Sequence, residues 1–154
     1  MLVLNRLVPA VALALAGIFF GIAAYISLAE QPARLALAAA PMLAQWKMSF
    51  AAGIAIQGAL AIITGLAGLL TWWLIRDARW LIGGLLMLAN WPWTLAMLAP
   101  INAALNATAV DAAGATSMAL IAQWGQLHSA RTVLGLCALL VFIWAMSREP
   151  KAAS

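Results

Sequence analysis

The chain has 154 residues, of which 67% are hydrophobic and only 8% are charged, and its formal net charge is +4. Soluble domains carry roughly a quarter of charged residues, so this composition excludes a soluble cytosolic protein. No basic run is long enough to indicate nucleic-acid binding. The composition predicts a membrane protein whose surroundings are the lipid bilayer.

Four apolar stretches are each close to the roughly 20 residues that a helix needs to cross a bilayer. They lack the alternation of apolar and polar residues that marks the strands of a membrane barrel, so we expect helices. The predicted fold is therefore all-α, with the whole chain, 1–154, forming a single domain. It is an integral membrane four-helix bundle with spans at about 7–28, 48–75, 81–101 and 118–147.

The first span contains Ser27-Leu28-Ala29, which resembles a signal-peptide cleavage site. Its apolar core is longer than the 7–15 residues of a signal sequence, so we expect a retained helix. Glycines at positions 17 and 21 in this span, and at 65 and 68 in the second, predict close helix packing. The lone cysteine, Cys137, can form neither an internal disulfide nor a zinc site and is expected to be a small core residue.

The connections are predicted to have unequal lengths. Residues 30–47, which contain Pro32 and Pro41, read as a long outer segment, and 102–117 read as an outer loop. A tight inner turn at 76–80 makes the second and third spans antiparallel neighbours. The positive-inside rule places both termini and this turn in the cytoplasm and the protein in the cytoplasmic membrane. The residues that carry this prediction are Arg6, Arg76, Arg79, Arg148 and Lys151.

Polar residues within the spans concentrate in the predicted outer half of the bilayer. At 1.5 Å per helical residue, Gln57 lies about 28 Å and Arg131 about 26 Å from the inner ends of their spans. Asn90 lies deeper, about 16 Å from the inner end. It precedes Pro92, whose kink opens a pocket at that level or is an ordinary bend of a membrane helix.

The last span carries the run WGQLHSAR, in which Trp124, His128 and Arg131 share one helical face. Ionisable groups inside a span are costly and usually serve a function. A structural interpretation competes, in which His128 only bonds to a neighbouring helix. Arg131 needs acceptors, and Glu30 is the nearest acidic candidate, although Glu30 can equally pair with Arg34 four residues later.

Two runs carry a resemblance to a known family. WPWTLAMLAPIN in the third span ends in a Pro-x-Asn step at Pro100 and Asn102, and WGQLHSAR follows in the fourth. With the order of the four spans, this pattern resembles a broad family of four-helix membrane proteins related to the anthrone oxygenases of polyketide pathways. The resemblance covers most of the chain.

The resemblance implies oxygenation of an acidic aromatic or phenolic substrate, with no metal and no cofactor. Deprotonation of an anthrone gives an electron-rich enolate that reacts with dioxygen directly. His128 is expected to be the catalytic base and Arg131 to stabilise the enolate oxygen. The residues expected to bind this hydrophobic substrate are Trp124, Asn102, Trp91, Asn90, Gln57, Trp46 and Glu30.

Three other functional classes remain open at this point. A haem-bearing cytochrome is disfavoured because bis-histidine ligation needs two histidines and the chain has one. A small transporter would use Glu30 as its ion-coupling carboxylate. In a non-catalytic scaffold the polar residues would only fix helix packing. The sequence does not indicate an oligomeric state.

Overall fold

Four long helices make up the protein. The computed structural model describes residues 4–147, and each of these helices is long and apolar enough to cross a membrane. The described residues contain no strand, so the predicted all-α fold with four potential spans is confirmed. The cytoplasmic location of the termini stays a prediction, and Arg148 and Lys151 lie outside the described residues. The helices are α1 (Leu4–Leu35), α2 (Ala39–Ile75), α3 (Ala78–Ala107) and α4 (Ala115–Met146).

The helices form a closed ring. α1 packs against α2 and α4, and α3 packs against the same two helices. The connections 36–38, 76–77 and 108–114 are short, so successive helices run antiparallel. We call the end of the bundle that holds 36–38 and 108–114 the loop end, and the end that holds 76–77 the turn end.

The connections at the loop end are shorter than the sequence predicted. Residues 30–47 are helical up to Leu35 and again from Ala39, and 102–107 belong to α3. Neither of the two prolines that suggested a break ends a helix. Pro32 comes shortly after a π-helical turn at Ile26–Glu30, and Pro41 lies in the first turn of α2, where the backbone N–H groups have no acceptor within the helix.

At the turn end, residues 76–77 form a tight connection between α2 and α3. Arg76 ends α2 in the left-handed conformation, with φ of 58°. Asp77 follows as the N-cap of α3, and its side chain accepts a hydrogen bond from the Arg79 backbone nitrogen at 3.0 Å. Aspartate is a favoured N-cap because it binds a free N–H of the first turn.

Two helices contain a wide π-turn, at Ile26–Glu30 in α1 and at Thr94–Leu98 in α3. A π-turn changes the direction in which the following side chains project, and such turns are frequent at functional sites. The first and last residues of both turns line one cavity in the loop-end half. The irregularities of the helices therefore shape that cavity.

Apolar packing is divided between the two ends. Trp80 stacks on Phe142 towards the turn end, with ring centroids 4.9 Å apart. At the loop end Trp46 and Trp124 belong to a second apolar cluster, which also contains Leu98 and Leu105. The polar cavity adjoins this loop-end cluster.

The glycine prediction is right for α2 and wrong for α1. A Cβ atom built on Gly84 of α3 would lie 2.9 Å from the Gly65 carbonyl oxygen, and one built on Gly68 would lie 2.9 Å from Gly84 Cα. Gly17 and Gly21 have no such neighbour within 4 Å. Cys137 is exposed rather than in the core, because it lies on the outward face of α4.

We expect Gly84→Ala to destabilise the protein by about 1–3 kcal/mol, because the added methyl group meets backbone atoms that cannot rotate away. Gly21→Ala is the matched control and should be neutral or slightly stabilising, since alanine favours the helix. Thermal unfolding of both purified variants in the same detergent measures the difference. Equal melting temperatures for the two variants would contradict the close α2–α3 packing.

Candidate functional site

The main cavity of the bundle lies in its loop-end half and is lined by all four helices. It encloses about 450 Å³ including its open part, but the space in which a water molecule can be centred is only about 40 Å³. One water needs roughly 10–15 Å³ on that measure, so this space corresponds to a few waters. The cavity is lined by seven of the nine residues that the sequence singled out: Glu30, Trp46, Gln57, Asn102, Trp124, His128 and Arg131.

The two motifs of the third and fourth spans meet in this cavity. Trp124 Nε1 donates a hydrogen bond to Asn102 Oδ1 at 3.0 Å, within the buried part of the α3–α4 contact. The Trp124 ring stacks on the His128 ring, with centroids 4.9 Å apart and an angle of 22° between the planes. His128 is therefore held against one wall, and its side chain is only 2% exposed.

Glu30 pairs with Arg34, which decides between the two partners that the sequence left open. Arg34 Nη2 donates to Glu30 Oε1, and the two residues are four apart on α1. The Arg34 guanidinium also lies 5.6 Å from the Trp124 ring centroid. Its remaining hydrogen-bond partners are Gln31, Gln45 and Ser49. Each of the three guanidinium nitrogens of this buried arginine thus donates at least one hydrogen bond.

Arg131 is also buried and also lies near an aromatic ring, but it lacks the hydrogen bonds and the carboxylate partner of Arg34. It is 6% exposed, and among the described residues it has neither a hydrogen-bond partner nor an ion-pair partner. Its guanidinium carbon lies 5.8 Å from the Phe19 ring centroid, a cation–π contact. Because Glu30 is neutralised by Arg34, Arg131 leaves the cavity with an uncompensated positive charge.

Gln57 and Trp46, which line the main cavity with Arg131, also have buried polar atoms without a hydrogen-bond partner. These atoms are the amide oxygen and nitrogen of Gln57 and the indole nitrogen of Trp46. Buried polar groups without partners are rare and call for a ligand, ordered water or a functional explanation. Four of the seven such atoms in residues 4–147 belong to residues that line the main cavity, and the other three belong to Asn5, Thr64 and Asn90. The main cavity is therefore the candidate binding site.

Asn90 and Trp91 line a second, smaller cavity, which shares Ile54, Thr94 and Arg131 with the main one. This second cavity has room for about one water, at 10 Å³, and Arg131 lines both. Asn90 Nδ2 donates to the Leu86 and Met87 carbonyl oxygens at 3.3 and 3.1 Å, which leaves Asn90 Oδ1 buried without a donor. The interruption of the α-helical pattern at Ala89, three residues before Pro92, therefore lies next to a small pocket.

No metal site is evident: within residues 4–147, no three histidine, cysteine, aspartate or glutamate side chains lie together as a potential ligand set. Sequence reasoning missed three residues near His128: Arg34, Ser27 and Thr132. Arg34 was visible as the i+4 partner of Glu30, but its burial follows only from the continuation of α1 past Pro32.

A family model described as anthrone oxygenase matches residues 46–141, which is more than half of the chain. The chain belongs to the anthrone oxygenase family. The family resemblance read from the two motifs is therefore confirmed. The match covers most of α2, all of α3 and most of α4, so His128 and Arg131 lie within it, whereas α1 with Glu30 and Arg34 lies outside. No curated protein and no solved structure matches this member of the family.

The two buried arginines should respond differently to replacement by methionine, which keeps an unbranched side chain without the charge. We expect Arg34→Met to destabilise the protein on the order of 3 kcal/mol, because the Glu30 carboxylate loses its cationic partner. Arg131→Met should leave stability within about 1 kcal/mol of the wild type or raise it, since no protein acceptor is lost. Unfolding of both variants in detergent provides the comparison. A loss with Arg131→Met as large as that with Arg34→Met would mean that Arg131 is structural.

Proposed function

We propose that the protein is a cofactor-independent oxygenase whose cavity binds the enolate or phenolate form of a planar aromatic substrate. The observation that carries the proposal is the buried, unpaired Arg131 guanidinium in a cavity whose single lining carboxylate is already neutralised. An anionic ligand supplies the missing partner. Membership of the anthrone oxygenase family supports an anthrone-like compound as that ligand.

The chemistry of such a substrate matches the side chains of the cavity. An anthrone has a methylene group between two aromatic rings and a carbonyl group conjugated through them. Removal of a methylene proton moves negative charge onto the carbonyl oxygen. His128 is proposed as the base, and Arg131 as the group that stabilises the oxygen as its charge develops. When the substrate displaces the few waters that the cavity can hold, this charge stabilisation is stronger than in bulk water.

Oxygenation then needs only dioxygen as the second substrate. The enolate transfers electrons to dioxygen, and a carbon–oxygen bond forms at the former methylene carbon. The peroxide takes up the proton held by His128 and loses the elements of water, which leaves a second carbonyl group. One anthrone and one dioxygen thus give one quinone and one water, and the carbon that is oxidised supplies the electrons that reduce oxygen.

The aromatic walls are suited to a flat ring system. Trp46 stacks on Phe50, with centroids 4.7 Å apart and nearly parallel planes, and it meets Trp124 edge-on. The space within these walls is that of a few waters, so a tricyclic ring enters only if side chains move. Phe50 is only partly buried and is the side chain that we propose to move. Side-chain changes of this kind are common when a ligand binds.

We further propose that the protein lies in the cytoplasmic membrane with both termini in the cytoplasm and the cavity in the outer half. The basic residues at the turn end, Arg76 and Arg79, support this orientation. A hydrophobic substrate dissolved in the bilayer would then reach the cavity from the lipid. Dioxygen, which is apolar, would take the same route.

The competing functions have less support. A transporter would need Glu30 for ion coupling, but that carboxylate is bonded to both Arg34 and Gln45. A scaffold gains nothing from polar atoms that are buried without partners, and those of Trp46, Gln57 and Arg131 all border the main cavity. The oxygenase accounts for them as binding groups.

Purified His128→Ala should remain folded but lose oxygen uptake with an anthrone by a factor of about 10²–10⁴, the usual contribution of a general base. Arg131→Lys should lower kcat/KM, because an ammonium group cannot reproduce the planar fork of a guanidinium. Ser129→Ala is the control on the same helix, since Ser129 is exposed and bonds only to the Gly125 carbonyl.

Oxygen consumption is measured with an electrode after subtraction of the spontaneous oxidation of the anthrone. Full activity in His128→Ala would exclude His128 as the base. No uptake by the wild type above the spontaneous rate, with several anthrones and related phenols, would overturn the proposed oxygenation.

A further inference from the structure

Two hydroxyl groups from different helices form a chain of close polar contacts on the Nδ1 side of His128. Ser27 Oγ of α1 is 3.3 Å from His128 Nδ1 and 2.8 Å from Thr132 Oγ1 of α4. Neither Ser27 nor Thr132 is among the residues that line the main cavity, whereas His128 is. The Nδ1 side of the imidazole is thus taken by protein, and no described residue bonds to Nε2.

The carbonyl groups next to Thr132 favour one direction for this chain of hydrogen bonds. Thr132 Oγ1 lies 3.2 Å from the Ala23 carbonyl oxygen and 3.5 Å from the His128 carbonyl oxygen. A carbonyl oxygen can only accept, and if Thr132 donates to Ala23 then Ser27 donates to Thr132 and accepts from a protonated Nδ1, which makes three hydrogen bonds. The opposite direction, with Thr132 donating to Ser27 and Ser27 to Nδ1, makes only two and leaves the Ala23 carbonyl without the Thr132 hydroxyl. The first direction therefore satisfies more of these buried groups.

We infer that Ser27 and Thr132 are positioning residues, which hold the proton of the neutral His128 ring on Nδ1 and leave Nε2 unprotonated. The catalytic consequence rests on the proposed function, since Nε2 is then the atom that removes the proton from the substrate. The other nitrogen of an imidazole commonly sets the tautomer through such a bond. Here two hydroxyl groups have the role that a carboxylate has in many hydrolases, where it holds the catalytic histidine in one tautomer.

The surroundings of the ring hold it in this orientation. Ser27 lies in the π-turn Ile26–Glu30, and Trp124 stacks on the face of the imidazole. The charged side chains that line the same cavity are Glu30 and Arg34 from α1 and Arg131 from α4, whereas the lining residues from α2 and α3 are uncharged. A hydroxyl relay therefore sets the tautomer without adding another charge to the cavity.

The chain contains one histidine, so its tautomer can be measured directly. Histidine labelled with ¹⁵N is incorporated into the full-length protein, which is purified in detergent through a tag without histidine. A two-bond ¹H–¹⁵N spectrum at pH 8, above the reference pKa of 6.5 for a histidine side chain, distinguishes the two neutral tautomers. The wild type should show a protonated Nδ1 and an unprotonated Nε2.

Ser27→Ala and Thr132→Val remove the two hydroxyl groups, and Ser129→Ala removes one that lies outside the relay. In the first two variants the fraction of the ring protonated on Nε2 should rise several-fold, and in the third it should stay at the wild-type value. With an anthrone, kcat of Ser27→Ala should fall by the same factor as the fraction of the ring protonated on Nδ1, with KM within about twofold, because only that tautomer presents Nε2 as a base.

A wild-type spectrum with the proton on Nε2 overturns the inference even if no variant folds. An unchanged tautomer in a folded Ser27→Ala also overturns it. A wild type with the proton on Nδ1 that consumes no oxygen with any anthrone would support the relay and overturn the proposed function, so the two failures are distinguishable.

Discussion

Every polar group placed among these helices needs a partner from the protein, because hydrocarbon offers none. The backbone meets this constraint by being helical, and the two π-turns remain helical rather than breaking open. Arg34 meets it with four side-chain partners. Arg131 does not meet it with any described residue, and the unbonded atoms of Gln57 and Trp46 lie around the same cavity. Four of the seven unpartnered buried atoms in residues 4–147 thus belong to residues of this cavity, which supports the proposed binding site over helix packing alone.

The helices contribute different kinds of residue to the proposed site. The proposed base and the cation lie on α4 within the family match, opposite aromatic walls from α2. α1 lies outside the match and contributes supporting groups: Glu30 and Arg34 form a neutral pair that fixes Trp124, and Ser27 contacts the far side of His128. Because Arg34 neutralises Glu30, no carboxylate among the lining residues is left to compensate the positive charge of Arg131. The electrostatics of the site thus depend on a helix that carries no proposed catalytic residue.

Hydropathy and helical periodicity were sufficient for the four helices and for the face shared by Trp124, His128 and Arg131. They failed at Pro32 and Pro41. Pro41 lies in the first turn of α2, where the N–H groups have no helical acceptor, and Pro32 follows the π-turn Ile26–Glu30, after which α1 continues as a helix. The burial of Arg34 was missed for the same reason, because it depends on α1 continuing to Leu35. Ser27 and Thr132 gave no sequence signal. A single hydroxyl group is ordinary in a span, and their contact across 105 positions exists only in the packed bundle.

The most direct measurement is the equilibrium binding of a hydroxylated anthraquinone, which is planar and acidic but has no methylene group to be oxygenated. Quenching of tryptophan fluorescence reports its binding, since Trp46 and Trp124 line the cavity. A site organised around an unpaired Arg131 predicts saturable binding that weakens at least about tenfold in Arg131→Met, the equivalent of roughly 1.4 kcal/mol. Equal affinity in the wild type and Arg131→Met, or no saturable binding by either, would contradict the central role of this arginine.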